Sequence, residues 1–283
     1  MSEEIEIDYL RTWIGKQDRV SDTISAELLK RFRATLSGYS ELSLQIPLGI
    51  HWCLAQTAVA QNELGVDGHP AKGGFLPPVP LPRRMWASSQ LRFHKPLSSG
   101  VPVEKVSTIA DVALKQSASS GPLVFVHVDH EYVQSGETLV QERQSIVYRQ
   151  SSVFKQPEVA VPKYSACSLN IFPNTTLLFR YSAVTFNGHR IHYDSRYTTT
   201  EEGYPGLVVH GPLIATLLMN LAQANRPNSS MTEFTFRAVA PAFVDQALQL
   251  AINDEDVRYL EARNHEGALV MSAQAKFGIN DES

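Results

Sequence analysis

The chain has 283 residues, of which 43% are hydrophobic and 19% charged, so it can build one large domain or two ordinary ones and is too apolar for global disorder. Its net charge of −4, without a basic block, gives no indication of a nucleic-acid surface. Two cysteines cannot form a disulfide framework, and no apolar run approaches the ~18 residues of a membrane span. The acidic start MSEEIEIDYL lacks the basic and apolar segments of a signal peptide, so we expect a soluble, cytoplasmic protein.

Two helices are expected in the first quarter of the chain. Residues 25–36 place apolar side chains on one face, and Ser25 is suited to be the N-cap. Residues 47–63 also show helical spacing of apolar residues, and Pro47 suits a first turn. Residues 64–83 follow with four glycines and five prolines, which predicts a long loop that either covers a functional site or simply packs on the surface.

The rest of the chain reads as strands around one buried helix. Alternating residues predict an antiparallel meander, and a polar stretch with two prolines at 151–165 reads as a linker. An apolar run before residue 187 reads as a strand, and PLIATLLMNLAQ at 212–223 as a buried helix. Each half would then be a buried helix followed by an antiparallel sheet. The expected strands are 101–113, 121–133, 138–150, 231–239, 246–252, 257–263 and 268–277.

The most informative segment is VTFNGHRIHYD at 184–194, and we call its polar part, NGHRIHYD at 187–194, the polar motif. A tight turn at Gly188 would direct Asn187 and His192 into one cavity. His192 can take a proton from water or return one, whereas Asn187 can only orient a water or an imidazole. The alternatives are a buried polar network at a strand end, or a metal site. The metal reading is weak because there is no HExxH pattern, so no metal is expected.

A second feature is Gly211-Pro212 at the start of the expected buried helix. Proline suits a first helical turn, and the positive end of the helix dipole would stabilise an oxyanion that approaches over a glycine. Gly211 could equally serve only the close packing of a buried helix. A proton-transfer group beside such an amide is what enolate chemistry on a thioester requires.

These residues resemble the MaoC-like acyl-thioester hydratases and dehydratases, which have the hotdog fold. Their signature is an Asp, any residue, Asn-Pro, an apolar residue and His; here NGHRIH occupies that frame, with Asn187 in place of the Asp and His189-Arg190 in place of Asn-Pro. TFNGHRIHYD, PLPRRMW and GLVVHGPL are similar to a narrower branch. That branch contains mesaconyl-C4-CoA and itaconyl-CoA hydratases and mitochondrial 3-hydroxyacyl-thioester dehydratases. The resemblance covers the chain from about residue 20.

The resemblance implies an α+β double hotdog with a non-catalytic N-terminal domain at 1–150, the linker at 151–165 and a catalytic domain at 166–283. It implies a hydro-lyase that hydrates an enoyl-CoA reversibly, without a cofactor because CoA is part of the substrate. A short branched dicarboxylic mono-CoA ester is expected, itaconyl-CoA or mesaconyl-CoA giving citramalyl-CoA. Dehydration of longer 3-hydroxyacyl-thioesters and non-catalytic acyl-CoA binding are the alternatives. A homo-oligomer, most simply a homodimer, is also expected.

The resemblance also implies roles for single residues. His192 matches the catalytic histidine and Gly211 the amide of the oxyanion hole, while Asn187 would orient the water. Because the motif Asp is replaced, either His192 alone serves both proton transfers or Asp194 assists it. A substrate carboxylate would need a cation, for which Arg84 is the first choice. Residues expected to contact or surround the substrate are Arg83, Arg84, Trp86, Arg92, His189, Arg190, Asp194 and His210.

Overall fold

The computed structural model describes residues 5–117, 121–151, 154–159, 166–253 and 258–279. Its helices are α1 (Ile7–Arg11), α2 (Ala26–Leu36), α3 (Thr175–Val184), α4 (Ser195–Thr200) and α5 (Gly211–Ala224). Short 3-10 segments lie at Ile50–Cys53, Gln61–Glu63 and Arg190–His192. The strands are β1 (Gln17–Thr23), β2 (Arg83–Phe93), β3 (Pro102–Ser117), β4 (Gly121–Gln134), β5 (Glu137–Arg149), β6 (Ala166–Ile171), β7 (Ser229–Ala238), β8 (Leu248–Asn253), β9 (Tyr259–Asn264) and β10 (Leu269–Ile279).

The strands form one ten-stranded sheet in the order β1-β3-β4-β5-β2-β7-β10-β9-β8-β6. The first five strands make one half of this sheet and the last five make the other. Antiparallel pairing of β2 with β7, from Ser88↔Arg237 to Arg92↔Glu233, joins the halves edge to edge. Each half thereby covers an edge that would otherwise expose unpaired backbone groups. This is the expected double hotdog architecture. The predicted strands lie close to their predicted bounds, whereas β1, β2 and β6 were not predicted.

Helix α5 is the core of the C-terminal half. It packs against β7, β8, β9 and β10, and its side chains are buried on nearly every side, including the fully buried Leu213 and Leu218. An all-round apolar helix of this kind must be enclosed by other elements, as the sequence predicted. The predicted α2 is also confirmed, and the Ser25 hydroxyl accepts a hydrogen bond from the Leu28 amide at 3.0 Å.

The helix predicted at 47–63 is wrong. This segment contains only the two short 3-10 turns, because Gly49 (φ 90°) and Ala55 (φ 50°) take left-handed conformations that no α-helix accommodates. Contacts distant in sequence hold it: the Trp52 indole donates to Glu142 at 2.9 Å, and the Ala55 amide to Asp22 at 2.7 Å. The N-terminal half of the sheet therefore lacks the counterpart of α5 that we expected.

The strand predicted before the polar motif is also wrong, because α3 occupies that position. Asn174 starts the helix by accepting a hydrogen bond from the Leu177 amide at 2.9 Å. Leu177, Leu178 and Tyr181 are buried at helical spacing, which a short apolar run does not distinguish from a strand.

The polar stretch 151–165 lies mostly outside the described residues, so the division into domains at that point stays a prediction. Within the described part of the chain, no helix is long and apolar enough to cross a membrane.

Candidate active site

The polar motif begins directly after α3 with a sharp reversal of the chain. The reversal takes place at Phe186, whose φ is 50°, rather than at Gly188 as predicted. The Asn187 amide donates to the Ser182 carbonyl at 2.8 Å, and the Asn187 side-chain oxygen accepts from the His189 amide at 3.0 Å. Asn187 therefore holds the turn and also lines the cavity described below.

His192 is buried, and its tautomer follows from its contacts. Its Nδ1 lies 2.7 Å from the Val208 carbonyl oxygen, which can only accept, so Nδ1 carries the proton. Nε2 then has a lone pair and no partner among the described residues, and the ring lines the cavity. Burial lowers the pKa of His192 to about 4, so the ring is neutral at pH 7. His192 is thus prepared to accept a proton.

His210 packs against the ring of His192. The two rings are stacked with centroids 3.6 Å apart, and His210 Nε2 lies 2.8 Å from the Ser182 hydroxyl. His210 is fully buried and does not line the cavity, so the structure gives it a supporting position instead of the substrate contact expected from the sequence. Burial holds its pKa well below the usual value, and it too is neutral.

Gly211 is the first residue of α5 and lines the same cavity as His192. A Cβ built on Gly211 would meet no atom within 4 Å. The position therefore opens onto the cavity and is not required for close helix packing. A ligand oxygen can approach the N-terminus of α5 there, where the helix dipole and free amides favour negative charge.

The loop at 64–73, from the N-terminal half, docks on the polar motif. The Arg190 amide donates to the Asp67 carbonyl at 2.9 Å, and the Arg190 side chain to the Val66 carbonyl at 3.0 Å. Gly68 and Gly188 touch through their backbones so closely that a Cβ on either would overlap the other. This close approach, not a bend, is what requires glycine at Gly188. Part of the proline-rich loop therefore does cover the site.

Three side chains meet where this loop joins the polar motif. Asp67, His69 and His189 bring one ligand atom each within 4.8 Å of one another. Such a group fits a metal in size, but Arg84 Nε lies 3.3 Å from Asp67 and already neutralises that carboxylate. A divalent cation would have to bind beside this guanidinium, so the donor set does not suit a metal.

His189 stands between His192 and His69. Its ring is perpendicular to His192 at 5.5 Å and tilted on His69 at 4.4 Å. Burial, with smaller contributions from His192 and Arg84, holds the pKa of His189 well below the usual value. His189 lines the cavity as a neutral ring.

Arg190 and Asp194 serve the local fold. Asp194 accepts two hydrogen bonds from Arg190, at 3.0 and 2.7 Å, and caps α4 through the Tyr197 amide at 3.0 Å. The Arg190 guanidinium lies 4.2 Å from the Tyr197 ring centroid. Neither residue lines the cavity, so the substrate contacts expected for them are not supported.

The arginines of β2 are paired with carboxylates. Arg83 lies 3.0 Å from Glu202, and Arg84 donates to the Pro70 carbonyl at 3.0 Å in addition to its contact with Asp67. Both line the cavity. Arg92 is exposed, 4.0 Å from Glu233, and lies outside the cavity, so its assignment to the site is not supported.

The cavity has a volume of about 1880 Å³ and extends from His192 over the inner face of the N-terminal half of the sheet, where the described residues place no counterpart of α5. Trp86 forms part of its wall and packs edge-on against Trp52 at 5.4 Å. Among the polar side chains of β3, β4 and β5 that also line it are five that we call the polar strip: Lys105, Ser107, His130, Glu142 and Gln144.

Three members of the polar strip, Ser107, His130 and Gln144, are hydrogen-bonded in a row. Burial lowers the pKa of His130 to about 3, so this ring is neutral. Its Nδ1 lies 2.8 Å from the Ser107 hydroxyl and its Nε2 3.1 Å from the Gln144 side-chain oxygen. Glu142 accepts from Trp52 and from Ser89, and burial raises its pKa. A continuous row of polar groups is a poor surface for an alkyl chain.

Comparison with known proteins agrees with this geometry. Residues 49–244 match the model of the family described as hydroxyacyl-thioester dehydratase type 2. The chain belongs to this family. It is 40% identical over 273 residues to a mesaconyl-C(4)-CoA hydratase of Chloroflexus aurantiacus, covering 94% of this chain and 97% of the relative. It is 27% identical to a mitochondrial hydroxyacyl-thioester dehydratase type 2 of Schizosaccharomyces pombe, covering 83% and 89%.

Solved structures show the same fold at low sequence identity. HtdX of Mycobacterium tuberculosis superposes with a TM-score of 0.67 at 15% identity, covering 92% of this chain and 99% of that one. A MaoC-like dehydratase gives 0.68 at 13% identity, covering 93% and 97%. A conserved hypothetical protein of M. tuberculosis with a double hotdog fold gives 0.57 at 11% identity, covering 94% and 96%. These likenesses confirm the fold class of this family member.

Two parts of the dehydratase site were not anticipated. His69 joins the polar motif from about 120 positions away in the sequence, and no local pattern marks it beyond its glycine-rich loop. The polar strip was missed because its members alternate along ordinary strands. A polar residue where alternation predicts the buried face, such as His130 or Glu142, was the available signal.

Proposed function

We propose that this protein hydrates an enoyl-CoA thioester reversibly, acting on a short branched dicarboxylic mono-CoA ester such as itaconyl-CoA or mesaconyl-CoA and forming citramalyl-CoA. The observation that carries the proposal is the pairing of His192 with Gly211 in one cavity. The 40% identity to a mesaconyl-C(4)-CoA hydratase over nearly the whole chain supports the substrate class.

The geometry suits addition of water in a defined order. A water held by Asn187 transfers a proton to His192 Nε2 while its oxygen bonds to the β-carbon of the acyl group. The electron pair of the double bond moves toward the thioester, whose oxygen becomes negative beside the Gly211 amide at the start of α5. A proton then reaches the α-carbon and completes the 3-hydroxyacyl product. In this scheme no atom or electron comes from a cofactor.

A second candidate function is dehydration of a longer 3-hydroxyacyl-thioester. The family and the mitochondrial relative favour this reaction class. The polar strip gives this wall of the cavity less apolar surface to offer a long acyl chain than an all-apolar tunnel would. Binding without catalysis is the third possibility, and the neutral His192 with its unpartnered Nε2 opposes it.

One assay separates the three functions. We would follow loss of enoyl-thioester absorbance with crotonyl-, octenoyl-, mesaconyl- and itaconyl-CoA, and identify products by mass. We expect the highest kcat/KM on a dicarboxylic substrate. The highest value on octenoyl-CoA would support the long-chain dehydratase, and no turnover of any substrate would leave only binding.

Assembly and location form part of the same proposal. The outer strands β1 and β6 each leave one edge of the sheet without a strand partner among the described residues, which a second copy of the chain can cover. We propose a homodimer, which the solution mass tests, in the cytoplasm, which cell fractionation tests.

A further inference from the structure

His69 is placed in the site by the N-terminal half of the protein. Its backbone amide donates to the Asp67 side chain at 3.1 Å, and the Gly65 amide donates to the His69 carbonyl at 2.7 Å. These bonds give the loop at 64–73 its shape, and Arg84 and Arg190 attach the loop to β2 and to the polar motif. The position of His69 against His189 is therefore built into the fold.

The ring of His69 faces the cavity that contains His192. Both rings line this cavity, with His189 packed between them. Neither nitrogen of the His69 ring has a hydrogen-bond partner among the residues that the structure describes. An imidazole with two available nitrogens is thus presented to the space in which the acyl group would bind.

The charged and titratable groups around His69 come from three elements. Asp67 belongs to its own loop, Arg84 to β2, and His189 with Arg190 to the polar motif. An oxygen of Asp67 lies within 4.8 Å of a ring nitrogen of His69, and Arg84 and Lys72 act on the same carboxyl group, whose pKa burial raises. His189 is buried and neutral, whereas His69 is only half-buried.

Hydration needs one proton removed from water and one delivered to the α-carbon. His192 is neutral and accepts the first proton, and Asn187 cannot ionise, so neither of them is an acid in the resting protein. We propose that His69 is this second proton-transfer group. The His69 imidazolium protonates the α-carbon as the water oxygen bonds to the β-carbon, and the proton taken by His192 later returns to His69 through solvent. In balance, one water is added and both rings are restored.

The inference rests on the proposed hydratase function, and the test separates the two. We would measure kcat and KM for the preferred enoyl-CoA with the parent, His69→Gln, Asn187→Asp and the double variant. His69→Gln should lower kcat by ~10²-fold with KM nearly unchanged, as for loss of one acid/base group. A carboxyl group at position 187 can supply the missing proton, so the double variant should regain ~10-fold or more over His69→Gln.

The exposed His265, which does not line the cavity, provides the matched control: His265→Gln should keep the parent kcat. The fall in kcat at alkaline pH should disappear in His69→Gln and persist in His265→Gln. A parent that hydrates no enoyl-CoA would refute the proposed function itself. An active parent with an equally active His69→Gln variant would refute only the role of His69. The same conclusion would follow if the parent bound one metal ion per chain and the His69→Gln variant bound none. Circular dichroism and thermal unfolding confirm that each variant is folded.

Discussion

Substituting Gly211 by alanine separates its two possible roles. If Gly211 serves helix packing, Gly211→Ala destabilises the protein. If it admits the thioester oxygen, the variant folds normally and loses activity. The structure favours the second outcome, because an added Cβ meets no protein atom within 4 Å and would project into the cavity. The backbone of Gly211 is not in the left-handed region, so alanine causes no strain there.

For Gly211→Ala we expect opposite changes in stability and in activity. Gly→Ala at a compatible position typically raises stability by about 0.4–1 kcal/mol, because the unfolded chain loses freedom. Loss of one oxyanion-hole donor typically costs ~10²–10³-fold in kcat, about 2.7–4 kcal/mol. The methyl group leaves the amide in place but hinders approach to it, so we expect a loss of kcat/KM of up to that size.

Urea unfolding and steady-state hydration kinetics on the same preparation provide the measurement. Gly206→Ala is a matched control, since Gly206 also has open space around it and lies outside the cavity lining. It should change neither quantity much. A Gly211→Ala variant that is clearly less stable than the parent, or that retains full activity, would refute this argument.

Four further expectations follow from the site. His192→Ala should lower turnover by at least ~10²-fold in a folded protein, checked by kcat and circular dichroism; near-parent activity would contradict its role. Acid should destabilise the fold, because the pKa of His192 is about 6.5 in the unfolded chain and about 4 in the folded protein. The contribution of His192 to the free energy of unfolding, of order 3 kcal/mol, is fully present above pH 6.5 and is lost as pH falls through 4. Thermal unfolding at pH 7 and at pH 5 would show this loss. Because Arg84 pairs with Asp67, Arg84→Met should reduce kcat/KM equally on mesaconyl- and crotonyl-CoA; a loss confined to the dicarboxylic substrate would instead support the carboxylate contact first expected from the sequence. Residues 166–283 expressed alone should aggregate or be inactive, because β7 loses β2 and the site loses its covering loop; a soluble, active fragment would contradict this.

The elements that sequence patterns predicted well are those whose burial is uniform. Helix α5 is apolar on almost every side and the strands alternate over long stretches, so the pattern and the fold agree. Residues 47–63 show helical spacing because they are buried, but their backbone follows tertiary contacts such as the Trp52–Glu142 bond. Spacing reports which residues are buried and does not by itself report the conformation that buries them.

Some features of the site could be predicted from the sequence and others could not. His192, Asn187 and Gly211 could be selected because they lie in short motifs with chemical meaning. The tautomer of His192 could not be predicted, because it depends on a contact with the Val208 carbonyl, and Val208 follows α4 in the chain. Arg84 was a reasonable choice for a substrate carboxylate until the fold supplied Asp67 as its partner. Pairings between segments that are not neighbours along the chain have no periodic signature in the sequence.

The asparagine at position 187 contributes to the neutral state of His192. A carboxylate at position 187 would stabilise an imidazolium nearby and raise the pKa of His192. With an uncharged amide there, burial dominates and the pKa is about 4, so His192 is always available as a base but is a weak one. A weak base removes a proton from water only if the electrophile is strongly activated. That requirement falls on the thioester oxygen at Gly211, and it makes the amide at the start of α5 as important to the rate as the imidazole.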